Sequence, residues 1–119
     1  MQQHPVVWFE VMGADASALQ SFYSGLFNWQ FTPVPDSDGY GTVGCESGGI
    51  PGGVGQGPDG SKGWGATFYI SVSDIAAKLE ECVAAGASVL MPPLELPDMT
   101  IAMLADPEGH PFGLAQSKG

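Results

Sequence analysis

The chain has 119 residues, 44% of them hydrophobic, which is enough to build a packed core at that length, so one domain over residues 1–119 is expected. Thirteen Asp and Glu against three Lys and Arg leave a formal net charge of -10, which excludes nucleic acid as the expected partner and suits a soluble protein that attracts cations. No apolar run reaches the roughly 18 residues of a membrane span. Met1-Gln2-Gln3-His4-Pro5 lacks the basic region and apolar run of a leader, so a cytoplasmic protein with no membrane partner is expected.

Val6-Val7-Trp8-Phe9-Glu10-Val11-Met12 is β-rich and nearly continuously apolar, and reads as a strand. Asp15 comes next as a helix N-cap. Behind it Leu19, Phe22, Tyr23 and Leu26 fall at i, i+3, i+4 and i+7, the stripe that an amphipathic helix turns towards a sheet, and Asn28 helps to end the helix. Three short segments broken by Gly and Pro come after it, Trp29 to Val34, Gly39 to Cys45 and Gly49 to Gln56, and each reads as a strand. Cys45 and the later Cys82 fit no close-spaced metal or redox motif and read as reduced thiols.

The glycine-rich run Gly48 to Gly57 is not a phosphate cradle, because it has no Lys-Ser/Thr behind it and it opens no helix. Its glycines imply a strand with few side chains, which either opens cavity space or lets another backbone come close. Gly57-Pro58-Asp59-Gly60-Ser61-Lys62-Gly63 is the natural connector between the two halves of the chain.

The second half repeats the grammar of the first. Ala66 to Val72 reads as a strand and Asp74 as an N-cap, with Ile75, Leu79, Cys82 and Val83 as the buried helix face and Gly86 as the stop. Asp15 and Asp74 differ by 59, and at that offset Phe9 meets Phe68, Val11 meets Ile70 and Ala18 meets Ala77. Ser88 to Met91, Thr100 to Ala105 and Phe112 to Gln116 complete the strands. Met91, Met99 and Met103 cluster in this third, as a plastic pocket wall or as ordinary core. Each half is β-α-β-β-β and cannot alone bury both its sheet face and its helix, so the two are expected to pack as one domain, module one over about 5–57 and module two over about 64–117.

The order of these pieces resembles the vicinal oxygen chelate superfamily, which includes glyoxalase I, extradiol dioxygenases, fosfomycin-resistance enzymes and bleomycin resistance proteins. The resemblance rests on Val7-Trp8-Phe9-Glu10-Val11, on Asp15 with Phe22 to Trp29 after it, and on Ala105-Asp106-Pro107-Glu108-Gly109-His110-Pro111-Phe112 before the final strand. It implies an α+β fold in which two βαβββ modules form one glyoxalase-like domain, with curved mixed sheets around a central pocket. In the metal-dependent members, a His or Gln in the first strand of each module and a Glu in the last strand hold the ion. Carried over one at a time, those positions fall on Trp8, Thr67 and Gly113, none of them an ordinary divalent-metal ligand. His4 and His110 read as surface residues, so no metal and no cofactor are expected.

Strand alternation puts Trp8 and Glu10 on one face of the first strand, and Thr67 and Tyr69 on the equivalent face of its counterpart. With Met103 and Gly113 these are the expected lining of a ligand pocket, aromatic with one acid, where Gly113 leaves room in place of a ligand carboxylate. Glu10 is the one candidate catalytic residue, as a general base beside a carbonyl, but with no metal or oxyanion stabiliser an enolate is poorly held. The sequence therefore favours a metal-independent small-molecule binding protein, similar in kind to the bleomycin-binding members, for a cationic or aromatic ligand. Two alternatives stay open: a glyoxalase-like lyase, isomerase or dioxygenase with a non-standard metal site, and a small dimerising interaction module. A homodimer is implied by the resemblance, with Trp29, Phe31 and Trp64 as candidate contacts.

Overall fold

The computed structural model describes residues 3–46 and 48–118. Met1 and Gln2, at the start of the segment read for a leader, lie outside the described residues. The elements are β1 (Val6–Gly13), α1 (Ala16–Phe27), β2 (Thr32–Pro33), β3 (Gly41–Val43), β4 (Gly52–Gln56), β5 (Ala66–Ser71), α2 (Ile75–Ala84), β6 (Ser88–Glu95), β7 (Met99–Ala105) and β8 (Pro111–Ser117), with a short 3-10 turn at Pro58–Gly60 in the connector. The architecture is α+β with mixed strand directions. Two compact units divide the chain: Trp8 to Thr67, and the chain from Phe68 onward together with the segment up to Val7.

In the first unit the strand order is β2-β3-β4-β1, and in the second it is β5-β8-β7-β6. The same rule governs both. The first strand of each module runs parallel to the last, β1 with β4 and β5 with β8, while the strands between them are antiparallel. A parallel pair needs a crossover connection, and here the helix begins it.

The two helices start in the same way. Asp15 (φ -141, ψ 100) accepts from the N–H of Ala18, and Asp74 (φ -141, ψ 97) accepts from the N–H of Ala77. A second acceptor is not visible from sequence: Gln56 Oε1 takes the N–H of Ala16 at 3.2 Å, and Gln116 Oε1 takes the N–H of Ile75 at 2.8 Å. Each glutamine sits on the last strand of its own module and ties the helix start to it, satisfying a donor that the helix itself cannot. The pair is offset by 60 rather than 59, so the register set by the aspartates passes it by. Asn28 (φ 58) closes α1 and Gly86 (φ 114) comes after α2 in left-handed or glycine-favouring conformations.

In the second unit Val72, Ile75, Ala102, Leu104 and Leu114 form the core, and Ile70, Leu79, Cys82, Ala87 and Phe112 pack against it. Burial pushes the Cys82 thiol up from its ordinary value. Val83, expected in the buried face of α2, is 45% exposed.

The stripe expected on α1 is also rotated. Leu19 and Tyr23 are half-buried, while Phe22 is 55% and Leu26 63% exposed. The cause is an aromatic cluster. The Tyr23 ring stacks on Trp29 at 5.0 Å and 11°, and Trp29 also meets Phe9, Phe27 and Phe31. On the sheet side Gln20 Nε2 donates to the carbonyls of Val54 (2.8 Å) and Gly39 (2.9 Å). Tyr23 and Gln20 thus fix which side of α1 faces the sheet, and Phe22 and Leu26 are left outside.

The same cluster takes Trp29 to Phe31 out of the strand expected there, and β2 shrinks to Thr32–Pro33, with Pro33 inside it and Pro35 two residues further on, neither able to donate to a ladder. β6 runs longer than Ser88 to Met91 because its place at the outer end of the strand order tolerates Pro92 and Pro93, with register shifts beside them. Among the described residues no helix is long and apolar enough to cross a membrane.

Replacing Gln116 with Ala leaves the N–H of Ile75 without its protein acceptor. Urea unfolding is expected to show a loss of about 1–2 kcal/mol, and Gln56→Ala a loss at the lower end of that range because its bond is longer.

Candidate functional site

The two faces of β1 are set by what each meets. A Cβ at Gly13 would run into Leu19, and Phe9 packs on Trp29, so Phe9, Val11 and Gly13 face α1. Trp8, Glu10 and Met12 therefore face the other way. Opposite them in β4 stand residues without side chains, since Glu10 is in register with Gly53 and Met12 with Gly55. The space is filled by the ring of Tyr40. A Cβ at Gly53 would collide with its hydroxyl end, and one at Gly55 would come within 2.6 Å of Cδ1.

Tyr40 stands just before β3 and is aimed by a tight turn. Asp36, Asp38 and Gly39 have φ values of 59, 51 and 89, and the N–H of Val34 donates to the Tyr40 carbonyl at 3.0 Å. The Tyr40 hydroxyl accepts from Trp8 Nε1 at 3.2 Å and lies 2.9 Å from Glu10 Oε2. An indole N–H can only donate, so the single tyrosine proton is directed to Glu10, whose Oε2 acts as an acceptor. Trp8, Glu10 and Tyr40 are all half-buried. The expected pair on β1 is thus joined by a third residue.

The second unit solves the same problem with its own strand. Tyr69, Gly113 and Met103 are in register across β5, β8 and β7. A Cβ at Gly113 would come within 2.3 Å of the Tyr69 ring, so the room that Gly113 leaves is taken by that ring. Tyr69 and Met103 are buried, and Thr67, two residues earlier on the same face of β5, is buried as well. The three methionines do not form one wall: Met103 is buried and pairs in register with half-buried Met91, and Met99 is exposed.

The glycine run divides by chemistry. Gly52 seats the Phe9 ring, Gly53 and Gly55 seat Tyr40, and only Gly57 has another backbone against it, from Ser61 and Gly63. Sequence reasoning misses Tyr40. Its only signal is a bare strand that needs a filler, and no rule of spacing says which ring supplies it.

The residues at the family's metal-ligand positions do not fit an ion. Trp8 offers only a donor, Thr67 a buried hydroxyl, and Gly113 nothing, with a ring in the space beside it. Among the described residues no three His, Cys, Asp or Glu side chains converge. His4 is exposed, and His110 lies in the turn before β8, where its Nδ1 stands 3.1 Å from Asp106 Oδ2. Asp106 also accepts the backbone N–H groups of His110 (3.0 Å) and Glu108 (2.9 Å). The His110 N–H foremost, then that of Glu108 and the His110 ring, hold the Asp106 carboxyl below the usual carboxylate range.

Because that value is depressed on folding, the turn's contribution to stability is full above an unfolded carboxylate pKa of about 3.9 and is lost as pH falls through the folded value. An NMR titration of the Asp106 carboxyl is expected to show a midpoint below that of an unfolded peptide. Gly53→Ala must displace Tyr40, and Gly113→Ala must displace Tyr69. Each is expected to cost about 1–3 kcal/mol by overpacking, and Gly53→Ala alone is expected to shift the Trp8 indole N–H resonance as its acceptor moves.

The sequence profile described as a glyoxalase-like domain matches residues 8–115. The protein CFP32 of Mycobacterium tuberculosis, which carries a provisional glyoxylase name, is 29% identical over 118 residues, covering 92% of this chain and 44% of its own length. The anthracycline biosynthesis protein DauV of Streptomyces sp. is 29% identical over 125 residues, covering 90% of this chain and 45% of its own length. The chain therefore spans less than half the length of these relatives. Among solved structures, a glyoxalase/bleomycin resistance protein/dioxygenase superfamily member from Vibrio splendidus superimposes with a TM-score of 0.67 at 19% identity, over 97% of this chain and 100% of that one. With a repeated βαβββ arrangement and a family profile over nearly its whole length, the chain belongs to the glyoxalase-like domain family of the vicinal oxygen chelate superfamily.

Proposed function

We propose that this domain is a metal-independent small-molecule binding protein in which Trp8, Tyr40 and Glu10 contact the ligand. The observation that carries the reading is the Tyr40 hydroxyl held between Trp8 Nε1 and Glu10 Oε2, on the face of β1 turned away from α1. The bonds fix an aromatic surface and a carboxylate in advance, which lowers the ordering cost of binding. Tyr69, backed by Gly113 and Met103, carries the corresponding aromatic and hydroxyl chemistry in the second unit, and Thr67 stands two residues before it on β5.

A ring that stacks on Trp8 with a donor that reaches Glu10 describes the ligand class, and the net charge of -10 favours a cation. The likeness to proteins named for anthracycline biosynthesis leads the same way, since anthracyclines are planar fused rings. The glyoxylase name of the mycobacterial relatives favours a second reading, lyase or isomerase chemistry with Glu10 as general base. We place it second because the donors at the family's ligand positions are replaced and the Tyr40 proton is directed to Glu10 rather than to a developing oxyanion.

Two titrations separate the readings. Calorimetry with Zn, Ni, Mn and Fe(II) is expected to show no stoichiometric binding, and tight stoichiometric binding of any of them would overturn the proposal in favour of the lyase. A thermal-shift screen of planar aromatic amines, a soluble anthracycline among them, is expected to find a stabiliser worth about 2.7 kcal/mol at a hundredfold excess over Kd. That stabilisation is expected to fall at least tenfold in affinity in both Glu10→Gln and Tyr40→Phe.

A further inference from the structure

Both residues that flank Tyr40 are glycines, and both meet one side chain of α1. Gly39 turns with φ 89 and offers its carbonyl to Gln20 Nε2 at 2.9 Å. Gly41, in register with Val54, leaves room for the same amide, since a Cβ there would stand 3.0 Å from Nε2 and 3.2 Å from Cδ of Gln20. That amide also reaches the carbonyl of Val54 at 2.8 Å. Val54 is fully buried and lies between Gly53 and Gly55, the two positions that seat the Tyr40 ring. Two carbonyls can be met only by donors, so the nitrogen of Gln20, not its oxygen, faces them and both of its N–H bonds are engaged.

The choice of acceptors is specific. One carbonyl belongs to the residue that leads into Tyr40 and the other to the residue in the middle of its seat, so a single amide ties the chain that carries the ring to the strand that receives it. The tie is made from the α1 side of the sheet. Side chains alternate along a strand, so positions 41 and 54 turn towards α1 while Tyr40 turns to the face of Trp8 and Glu10. A second tie, from Gln56 Nε2 to Asp38 Oδ2, is longer at 3.3 Å and exposed.

The Tyr40 hydroxyl has little latitude. It stands 3.2 Å from Trp8 Nε1 and 2.9 Å from Glu10 Oε2, so a displacement of about half an ångström takes it out of good hydrogen-bond geometry with one or the other. We infer that Gln20 is a positioning residue for the array of Trp8, Tyr40 and Glu10, and that α1 sets the geometry of the ligand-contacting face from the opposite side of the sheet. The ligand-binding part of this inference rests on the reading of that array given above. Docking of α1 alone would not require the two carbonyls it grips to flank one ring and its seat.

The indole N–H resonance of Trp8, followed by NMR in the full isotope-labelled chain without ligand, tests the positioning. Gln20→Met keeps the length of the side chain and removes both donors, and is expected to shift that resonance as the Tyr40 hydroxyl moves. Gln20→Lys, whose ammonium can donate to both carbonyls, is expected to return it towards the wild-type position. Leu19→Ala removes an apolar side chain of the same helix that lies over Gly13 and has no donor for either carbonyl. It is expected to lower the melting temperature and leave the resonance in place. Calorimetric titration with a soluble anthracycline is expected to show binding about two- to tenfold weaker in Gln20→Met than in wild type, the cost of ordering one side chain anew. A Trp8 resonance unmoved in Gln20→Met, or moved as far in Leu19→Ala, overturns the inference. If the resonance follows all three variants as expected but anthracycline affinity is absent or unchanged, the positioning role stands and the ligand-binding reading of the array fails.

Discussion

The parallel pairing of a module's first strand with its last constrains most of what the structure does. It brings Glu10 level with Gly53 and Tyr69 level with Gly113, and it places Gln56 and Gln116 where each can reach the first turn of the helix between the paired strands. The helix starts, the glycine positions and the side chains seated on them all depend on that register. Neither strand of such a pair can slip without moving the helix start and the ring seat together.

Within that frame the two units diverge in chemistry. In the second, the seat at Gly113 is filled by the tyrosine of the neighbouring strand, which is buried with Met103 beside it. In the first, the residue level with the glycine is an acid, and the filling ring comes from a turn instead, with its hydroxyl on that acid. One repeat seats its own strand's tyrosine on the glycine, and the other seats a ring supplied by a turn. Membership of the family fixes the scaffold for this arrangement, while the chemistry depends on the residues that occupy it.

Much of the frame is legible in the sequence because it is encoded locally. Asp15 and Asp74 can be read as caps since an N-cap needs only its own helix, and β1, β5, β7 and β8 lie close to where their composition puts them. What escapes depends on contacts distant in the chain. Phe22 and Leu26 satisfy a helical stripe as well as Leu19 and Tyr23 do, and only the stacking of Tyr23 on Trp29 decides which of them turn inward. Tyr40 reaches Glu10 across 30 residues and Trp8 across 32, distances at which spacing carries no information. Trp8, Glu10, Thr67, Tyr69, Met103 and Gly113 are singled out by alternation and by the family's strand order, which pair them by face but do not say what fills the space between.

The seating of rings on glycine also shapes which sequences this domain can reach by mutation. A carboxylate at position 113 cannot be gained by changing Gly113 alone, because the Tyr69 ring already occupies the place where the new side chain would begin. Tyr69 would have to shrink first, and that intermediate would carry a void in the centre of the second unit with no ligand to offset it. Position 53 is barred in the same way by Tyr40. Two sites at which a single codon change would otherwise supply an anionic donor are thereby separated from it by an unstable intermediate, so the present chemistry is kept by packing as well as by whatever selection acts on binding.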